Sequence, residues 1–240
     1  MKLSVIIPAF DEAAILPRSL RALPPKAEVI VVDGQSRDNT PEIARQGGAR
    51  VIRGKRGRGA QMNLGGKHSS GDVLLFLHAD CVLGPNAGPS IEAALGGHGT
   101  VGGSFRLHID HPRWTYRLVA FGSNFRARFF GLPYGDQAIF VRRSDFDAIG
   151  GYPESPLMED VVLVRRLRKR GKLAAIKETV TTGTRHWQHL GPLLTTLLNW
   201  VTVALFFVGV PPKRLAPWYQ RLRKGKSDAI PEPYLATTEE

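Results

Sequence analysis

The residues with the clearest chemical potential follow short apolar segments. The first segment, 73–77, leads directly into His78, Ala79 and Asp80. A continuous apolar run of this length is typical of a strand buried on both faces of a parallel sheet. Ligands of such sheets bind outside the carboxyl ends of the strands. The imidazole and the carboxylate therefore stand where α/β enzymes keep their reactive groups.

Two further apolar segments, 3–7 and 29–32, also lead into acidic residues. The acids that follow them are Asp11, Glu12, Asp33 and Asp38. Because the carboxyl ends of parallel strands meet at one edge of a sheet, we expect these carboxylates to share a rim with Asp80. Carboxylates alone would repel a phosphorylated ligand, so this rim predicts a bound metal ion together with such a ligand.

Strand-like and helical segments alternate over the first 100 residues. The strand-like segments are 3–7, 28–32, 50–52 and 72–77, and the helical ones lie near 12–22, 40–47, 59–69 and 86–96. This alternation predicts an α/β fold with a mixed, mainly parallel sheet flanked by helices. The later chain is predicted to hold strands at 101–107 and 137–141 and helices at 112–128 and 158–170.

Length and cysteine content restrict the class of protein. A chain of 240 residues can bury the core of one α/β domain, and the single Cys81 excludes an internal disulfide framework. Residues 1–15 have no secretory signal pattern. We therefore expect a cytoplasmic protein, with peripheral attachment to the inner face of the plasma membrane as an option.

Positive charge is concentrated in the last third of the chain. Residues 165–226 hold 14 Lys and Arg against one acid, although the whole chain has a net charge of +12. Such a field can attract nucleic acid, anionic lipid or a phosphorylated substrate, or it can be a solvated face without a partner.

The segment 193–210 is almost wholly apolar apart from a narrow polar stripe. Eighteen residues at about 1.5 Å each give a helix of roughly 27 Å, which is short for a hydrocarbon core of ~30 Å. Basic residues on both sides favour an anchor on an anionic membrane surface. A buried helix or an oligomer contact through 193–210, and a membrane span, remain the alternatives.

Five motifs, in order, resemble those of family 2 glycosyltransferases with the GT-A fold. They occupy 5–12, 31–40, 57–63, 76–80 and 158–160. The resemblance covers about residues 1–190 and is closest to a compact bacterial subgroup with His-Ala-Asp in place of Asp-x-Asp. It implies a nucleotide-sugar donor, with a UDP-sugar favoured over a GDP-sugar.

The resemblance also implies roles for individual residues on the donor side. Asp80, with His78, would bind Mn²⁺ or Mg²⁺ between the enzyme and the donor diphosphate. The donor-binding residues would be Pro8, Ala9, Asp11, Glu12, Asp33, Arg58, Gln61 and Ala79. Imidazole suits softer ions than Mg²⁺, which favours Mn²⁺.

On the acceptor side, the resemblance implies an inverting enzyme. Asp160 would be the catalytic base and Glu159 its supporting neighbour, because the base must face the sugar from the side opposite the metal. Gly103, Gly135, Asp136 and Gln137 would frame the acceptor. The acceptor itself is left open, with a lipid-linked hydroxyl compound among the options. Processive synthesis is not expected.

Two other functional classes and the domain limits complete the expectations. A sugar-phosphate nucleotidyltransferase would need an early Gly-rich loop, and a nucleic-acid-binding protein would need interleaved aromatic and basic residues. We expect neither, and no nucleic-acid partner. The expected domains are a catalytic domain of two halves, 1–100 and 101–190, a helical extension, 191–226, and a tail, 227–240.

Overall fold

The computed structural model describes residues 1–224. The predicted tail, 227–240, and the end of the predicted extension therefore lie outside the described residues. The chain divides into two compact units, one formed by Met1–Glu154 with Glu159–Gly183, the other by Ser155–Met158 with the residues from Thr184 onward. Each unit is described by itself.

The first unit is built on one sheet of eight strands. They are β1 (Leu3–Ala9), β2 (Glu28–Asp33), β3 (Arg50–Arg53), β4 (Val73–Phe76), β5 (Cys81–Leu83), β6 (Thr100–Ile109), β7 (Ile139–Arg142) and β8 (Lys172–Thr182). Their order across the sheet is β3-β2-β1-β4-β7-β6-β8-β5. Strand β1 is parallel to β2 and β4, β2 to β3, and β6 to β8. The pairs β4–β7, β6–β7 and β5–β8 are antiparallel.

Seven helices accompany this sheet. They are α1 (Leu16–Arg21), α2 (Thr40–Gln46), α3 (Arg58–His68), α4 (Ala87–Leu95), α5 (Trp114–Phe130), α6 (Arg143–Ala148) and α7 (Glu159–Arg168), with a short 3₁₀ turn at Gly135–Gln137. The main core joins one face of the sheet to residues of α3, α6 and α7, and Met62, Phe146 and Leu163 are buried in it. Burial of these large apolar side chains is the dominant stabilising term.

The second unit contains a 3₁₀ turn, Arg185–Trp187, and two helices, α8 (Gly191–Phe207) and α9 (Pro212–Lys224). The Tyr219 hydroxyl donates a hydrogen bond of 2.7 Å to the Asn199 side chain, which joins α9 to the predicted polar stripe of α8. Leu194, Leu197 and Trp200 of α8 are exposed. Among the described residues, no helix combines the length and apolar character that crossing a membrane requires.

The observed fold confirms the predicted α/β class with a mixed, mainly parallel sheet. The predicted strands and helices are present with shifted ends, and α1 begins at Leu16 instead of near residue 12. Strands β5 and β8 and helix α6 were not predicted from the sequence, whereas α9 lies within the predicted helical extension, 191–226. Strand β8 is the largest omission, because it is 11 residues long and joins β6 to β5.

Candidate active site

The carboxyl ends of β1, β2 and β4 lie at one edge of the sheet. Ala9 is paired with Asp33, and Ile6 with Phe76, so the residues after these strands meet. The structure thus brings the expected acidic rim together. Since β6 and β8 run in the same direction as β4, their ends at Ile109 and Thr182 belong to this edge as well.

Two loops at this edge, after β1 and β2, are tied to each other. The Asp11 carboxylate accepts a hydrogen bond of 2.7 Å from the Arg37 N–H, and its own N–H donates to Ser36 Oγ at 3.0 Å. Asp33 is buried and accepts the Ser36 N–H at 3.1 Å. Asp11 has a φ of 53°, a left-handed conformation that is strained for a non-glycine residue. Such strain persists only where neighbouring contacts hold the backbone, as they do here.

The end of β1 and the loop between β1 and α1 complete this region. The Glu12 N–H donates to Thr40 Oγ1 at 2.8 Å, and Pro8 and Ala9 pair with Val32 and Asp33. The residues implied to surround the nucleoside are therefore neighbours in space.

Gln61 is buried, and its amide is engaged by backbone groups. Its Nε2 donates to the carbonyl oxygens of Ala9 and Val32, at 3.0 and 2.7 Å. Its Oε1 accepts the Gly57 N–H at 3.1 Å. Gln61 thus holds the ends of β1 and β2 against the start of α3. These contacts use both ends of the side-chain amide, and the donor contact that the resemblance implied for Gln61 stays a prediction.

The turn between β4 and β5 forms a candidate metal centre. One ligand atom each from His78, Asp80 and Cys81 lies within 4.8 Å of the others. The turn is closed by a hydrogen bond of 3.0 Å from the Cys81 N–H to the His78 carbonyl. The carbonyl of Ala79 is buried and accepts the Ser19 hydroxyl at 2.6 Å, which fixes the turn to α1. His78 and Asp80 were predicted ligands, and Cys81 was not.

Gly135 lies between the candidate metal centre and the candidate base. A β-carbon at this position would stand 2.6 Å from Asp160 Oδ2 and 2.6 Å from His78 Nε2. The Gly135 N–H donates to Asp160 Oδ2 at 2.9 Å. Only a residue without a side chain allows these two groups to approach each other so closely.

Asp160 lies at the start of α7 with its Oδ1 atom buried, and its pKa is raised from an ordinary 3.8 to about 7. Burial is the main cause, and the charge of Glu159 adds to it. Arg58 acts in the opposite direction, and its Nη1 lies 4.0 Å from Glu159 Oε1. A carboxyl group with this pKa can accept a proton effectively near neutral pH.

Further groups around Asp160 also favour their uncharged forms. Burial raises the pKa of Asp136, while Arg126 opposes this and Asp80 adds to it. Burial, with the charges of Asp160 and Glu159, holds the pKa of Tyr152 well above its usual value. Burial therefore disfavours the charged forms of these groups, and a bound cation would favour the ionised carboxylates.

Three buried oxygen atoms support the same conclusion. Within residues 1–224, Asp136 Oδ1, Asp160 Oδ1 and the Tyr152 hydroxyl have no hydrogen-bond partner. Buried polar atoms are normally satisfied, so such groups indicate a ligand, an ion or water. A histidine nitrogen and carboxylate oxygens are suitable ligands for Mn²⁺. The residues present therefore fit a divalent cation.

Two residues predicted on the acceptor side, Gly103 and Gln137, are packed inside the protein. Gly103 lies inside the sheet between Phe140 and Ala174, and a β-carbon there would stand 2.2 Å from the Ala174 carbonyl oxygen. Gln137 is buried, and its Nε2 donates to the Phe105 carbonyl at 3.5 Å. Gln137 belongs to the same 3₁₀ turn as Gly135 and Asp136, and the acceptor role of Gly103 and Gln137 stays a prediction.

The sequence did not identify Cys81 or Tyr152 as site residues. The only signal for Cys81 was its position after Asp80. Tyr152 has no motif, and its ring is placed by an edge contact of 5.0 Å with Phe76 at the end of β4.

Comparison with known proteins identifies the family. The family model described as Glycosyl transferase family 2 matches residues 4–150, which is more than half of the chain. The chain therefore belongs to glycosyl transferase family 2 and is a transferase. This membership decides among the three functional classes that the sequence left open.

Two curated relatives match part of the chain. One is a 4,4'-diaponeurosporenoate glycosyltransferase of Staphylococcus haemolyticus, 38% identical over 92 residues, which are 34% of this chain and 24% of the relative. Another is an undecaprenyl-phosphate 4-deoxy-4-formamido-L-arabinose transferase of Pseudomonas paraeruginosa, 31% identical over 134 residues, 48% of this chain and 40% of the relative. The matched region thus spans less than half of these relatives.

Solved structures share the fold over most of the chain. Glucosyl-3-phosphoglycerate synthase of Mycobacterium tuberculosis, solved with Mn²⁺, UDP and glucosyl-3-phosphoglycerate, has a TM-score of 0.63 at 20% identity, covering 88% of this chain and 81% of its own. A mannosyltransferase of Pyrobaculum calidifontis, solved with GDP-Man and Mn²⁺, has a TM-score of 0.65 at 16% identity, covering 92% and 69%. These similarities confirm the GT-A fold.

Proposed function

We propose that this family 2 member transfers a sugar, with inversion, from a nucleotide-sugar to an acceptor hydroxyl, and that Asp160 is the catalytic base. The observation that carries the proposal is the position of Asp160. It lies beside Glu159, is separated from His78 by Gly135, and has a pKa of about 7. A base here can remove the acceptor proton as the hydroxyl attacks the anomeric carbon.

For the donor, we favour a UDP-sugar, with a GDP-sugar as the alternative. The solved neighbours bind UDP in one case and GDP-Man in the other. In this chain the loops of Asp11 and Asp33 would surround the nucleoside, because they are tied to each other at the rim. Arg58 would lie near the diphosphate, since it is the basic side chain beside Glu159.

His78 and Asp80 would hold the metal ion, which is Mn²⁺ or Mg²⁺ with Mn²⁺ favoured. Such an ion acts as a Lewis acid and stabilises the charge of the departing nucleoside diphosphate. Burial raises the pKa of Asp136, and a bound cation would favour its ionised form, so that its carboxylate could support the metal site. The Ser19 hydroxyl and the Ala79 carbonyl would keep the turn in place.

For the acceptor, we propose a compound with a free hydroxyl group, with a lipid-linked one as the leading option. One curated relative bears undecaprenyl-phosphate in its name. The exposed apolar residues Leu194, Leu197 and Trp200 of α8 would hold the enzyme at an anionic membrane surface on the cytoplasmic side. Membrane contact through α8 and an oligomer contact through it are the competing uses of this face.

A binding experiment tests the donor and metal assignments together. Thermal shifts would be recorded with a panel of UDP- and GDP-sugars, with and without Mn²⁺. A donor that binds the native state should raise the melting temperature with Mn²⁺ and much less without it. Asp80→Asn should lose this effect, whereas Asp147→Asn, at an exposed position on α6, should keep it. Metal-independent binding that survives Asp80→Asn would contradict the proposal.

A further inference from the structure

Helix α5 turns its larger apolar side chains away from the core. The buried residues of the helix are Tyr116, Val119, Ser123 and Ala127. Five of the exposed apolar residues follow one another at intervals of three or four positions, and so form one stripe along the outer face. This α5 apolar stripe consists of Trp114, Leu118, Phe121, Phe125 and Phe129.

The α5 apolar stripe is continuous and strongly exposed. Trp114, Phe121 and Phe129 are 68%, 67% and 66% exposed. The Phe125 ring lies 6.4 Å from that of Phe121 and 4.5 Å from that of Phe129. Single exposed apolar residues are ordinary, but a contiguous aromatic surface marks a site of interaction.

Charges beside the stripe indicate the kind of partner. Arg113, Arg117 and Arg128 are exposed, and the sequence from 111 to 130 contains no Asp or Glu. A second copy of the chain would oppose these arginines to the same arginines across a two-fold axis. An anionic lipid surface instead offers phosphates to the arginines and a headgroup layer in which Trp and Phe are stable.

We propose that the α5 apolar stripe docks on the surface of an anionic lipid bilayer. The aromatic rings lie in the headgroup layer, and the three exposed arginines contact lipid phosphates. This surface is distinct from α8 and does not depend on the transfer reaction. It gives the catalytic unit a membrane contact of its own.

The stripe begins near the candidate active site. Strand β6 ends at Ile109, which pairs with Thr182, and Thr182 pairs with Cys81 of the metal-binding group. Helix α5 starts five residues after Ile109. A cavity of about 350 Å³, lined by Tyr116 and Arg117 among others, opens between the end of β6 and α5. A bilayer on the stripe would therefore lie beside the edge of the sheet that holds the site.

Vesicle flotation of the full chain tests the docking. Phosphatidylglycerol vesicles should bind the protein, and phosphatidylcholine vesicles should not. Replacing Trp114, Phe121 and Phe129 together by Ser should weaken partition by about tenfold or more, because three aromatic anchors are lost. Replacing Arg117 and Arg128 by Gln should weaken it similarly while leaving the stripe intact. Both variants should keep the Mn²⁺-dependent donor thermal shift, which reports on the fold and the donor site.

A local probe tests the position of contact independently of α8. Cys81 is fully buried, so a thiol-reactive, polarity-sensitive fluorophore can be attached selectively at Phe121→Cys. Its emission should shift to the blue on phosphatidylglycerol vesicles. The same probe at Ala93→Cys, an exposed position on α4, should not respond.

Three outcomes would overturn the inference. The parent protein could fail to float on phosphatidylglycerol vesicles, or it could float while the probe at position 121 stays unchanged. The stripe variant could also convert a dimer of the parent protein into a monomer in light scattering, which would assign the surface to a second copy. None of these outcomes alters the donor test, so the proposed transfer reaction is judged separately.

Discussion

The protonation of Asp160 connects the chemistry of the site with pH. Asp160→Asn keeps the shape of the side chain and removes its capacity to accept a proton. We expect transfer to fall by about 10²–10⁴-fold. Donor binding should change little, because the metal group and the nucleoside loops are intact. Steady-state kinetics and the donor thermal shift measure the two effects.

The pH profile of the parent enzyme gives a separate expectation. Only ionised Asp160 can act as a base, so with a pKa of about 7 the rate should rise about tenfold per pH unit well below 7 and level off above it. Transfer at saturating donor, measured between pH 5 and 9, checks this. Asp147→Asn should show the parental profile, and a flat parental profile would remove Asp160 from the role of base.

The same residue predicts a pH-dependent cost in stability. The pKa of Asp160 is about 7 in the folded state and 3.8 is its ordinary value, so the folded state holds the proton more tightly. The contribution of Asp160 to the free energy of unfolding is therefore favourable below about pH 4, and it is lost as the pH rises towards and through 7. Asp160→Asn should raise the melting temperature more at pH 8 than at pH 4. Equal shifts at both pH values in differential scanning calorimetry would contradict this.

The site residues differ in how far the sequence could reveal them. Asp11, Asp33 and Asp80 follow buried strands directly, so their shared edge could be predicted from strand direction alone. Cys81 could not be assigned, because it begins β5, which pairs only with β8 among the described strands, and neither strand has a clear sequence signal. The role of Gln61 was obscure because its contacts are backbone atoms, which carry no sequence signature.

At the scale of elements, strand β6 has glycine at two consecutive positions, Gly102 and Gly103, where the neighbouring strands approach closely. Gly103→Ala would place a β-carbon 2.2 Å from the Ala174 carbonyl and 2.5 Å from the Phe140 ring. The carbonyl belongs to the adjacent strand and cannot turn away, so we expect a loss of about 1–3 kcal/mol in the free energy of unfolding. Urea denaturation measures it.

Gly96→Ala is the matched control for this change. Its β-carbon would meet its nearest neighbour at 3.4 Å, an ordinary contact, and its φ is −66°. We expect a change close to zero or a small gain, because alanine restricts the unfolded chain. A similar loss in both variants would show that the packing of β6 between β7 and β8 is not the cause.

Most elements of the first half could be predicted, since their apolar runs are clear. Strand β8 could not, because the segment 172–182 mixes Lys and Glu with short side chains and is only partly buried. Its strand conformation comes from pairing with β6 along almost its full length and with β5 at its end. Tertiary pairing here outweighs local sequence preference.

At the scale of the whole molecule, charge and exposed apolar surface suggest membrane contact through α8 as well. Replacing Leu194, Leu197 and Trp200 by Ser removes three exposed side chains of that helix. We expect weaker flotation on phosphatidylglycerol vesicles and further weakening by salt, because both apolar burial and cation attraction contribute.

The control for the α8 prediction is the oligomeric state. If the variant floats as well as the parent protein, membrane contact through α8 is contradicted. A shift from dimer to monomer would assign this face of α8 to subunit contact.

The concentration of positive charge was visible in the sequence. The outward direction of the aromatic residues of α5 was not, because an amphipathic pattern alone does not show which face meets the core.

The close approach at Gly135 also affects how this protein would respond to mutation. Any other residue there would push Asp160 and His78 apart, although glycine itself supplies no reactive group. A scan of all substitutions, scored by activity, should therefore rank position 135 with Asp80 and Asp160. In such a scan, a residue without a side chain would be indistinguishable from the catalytic groups whose separation it sets.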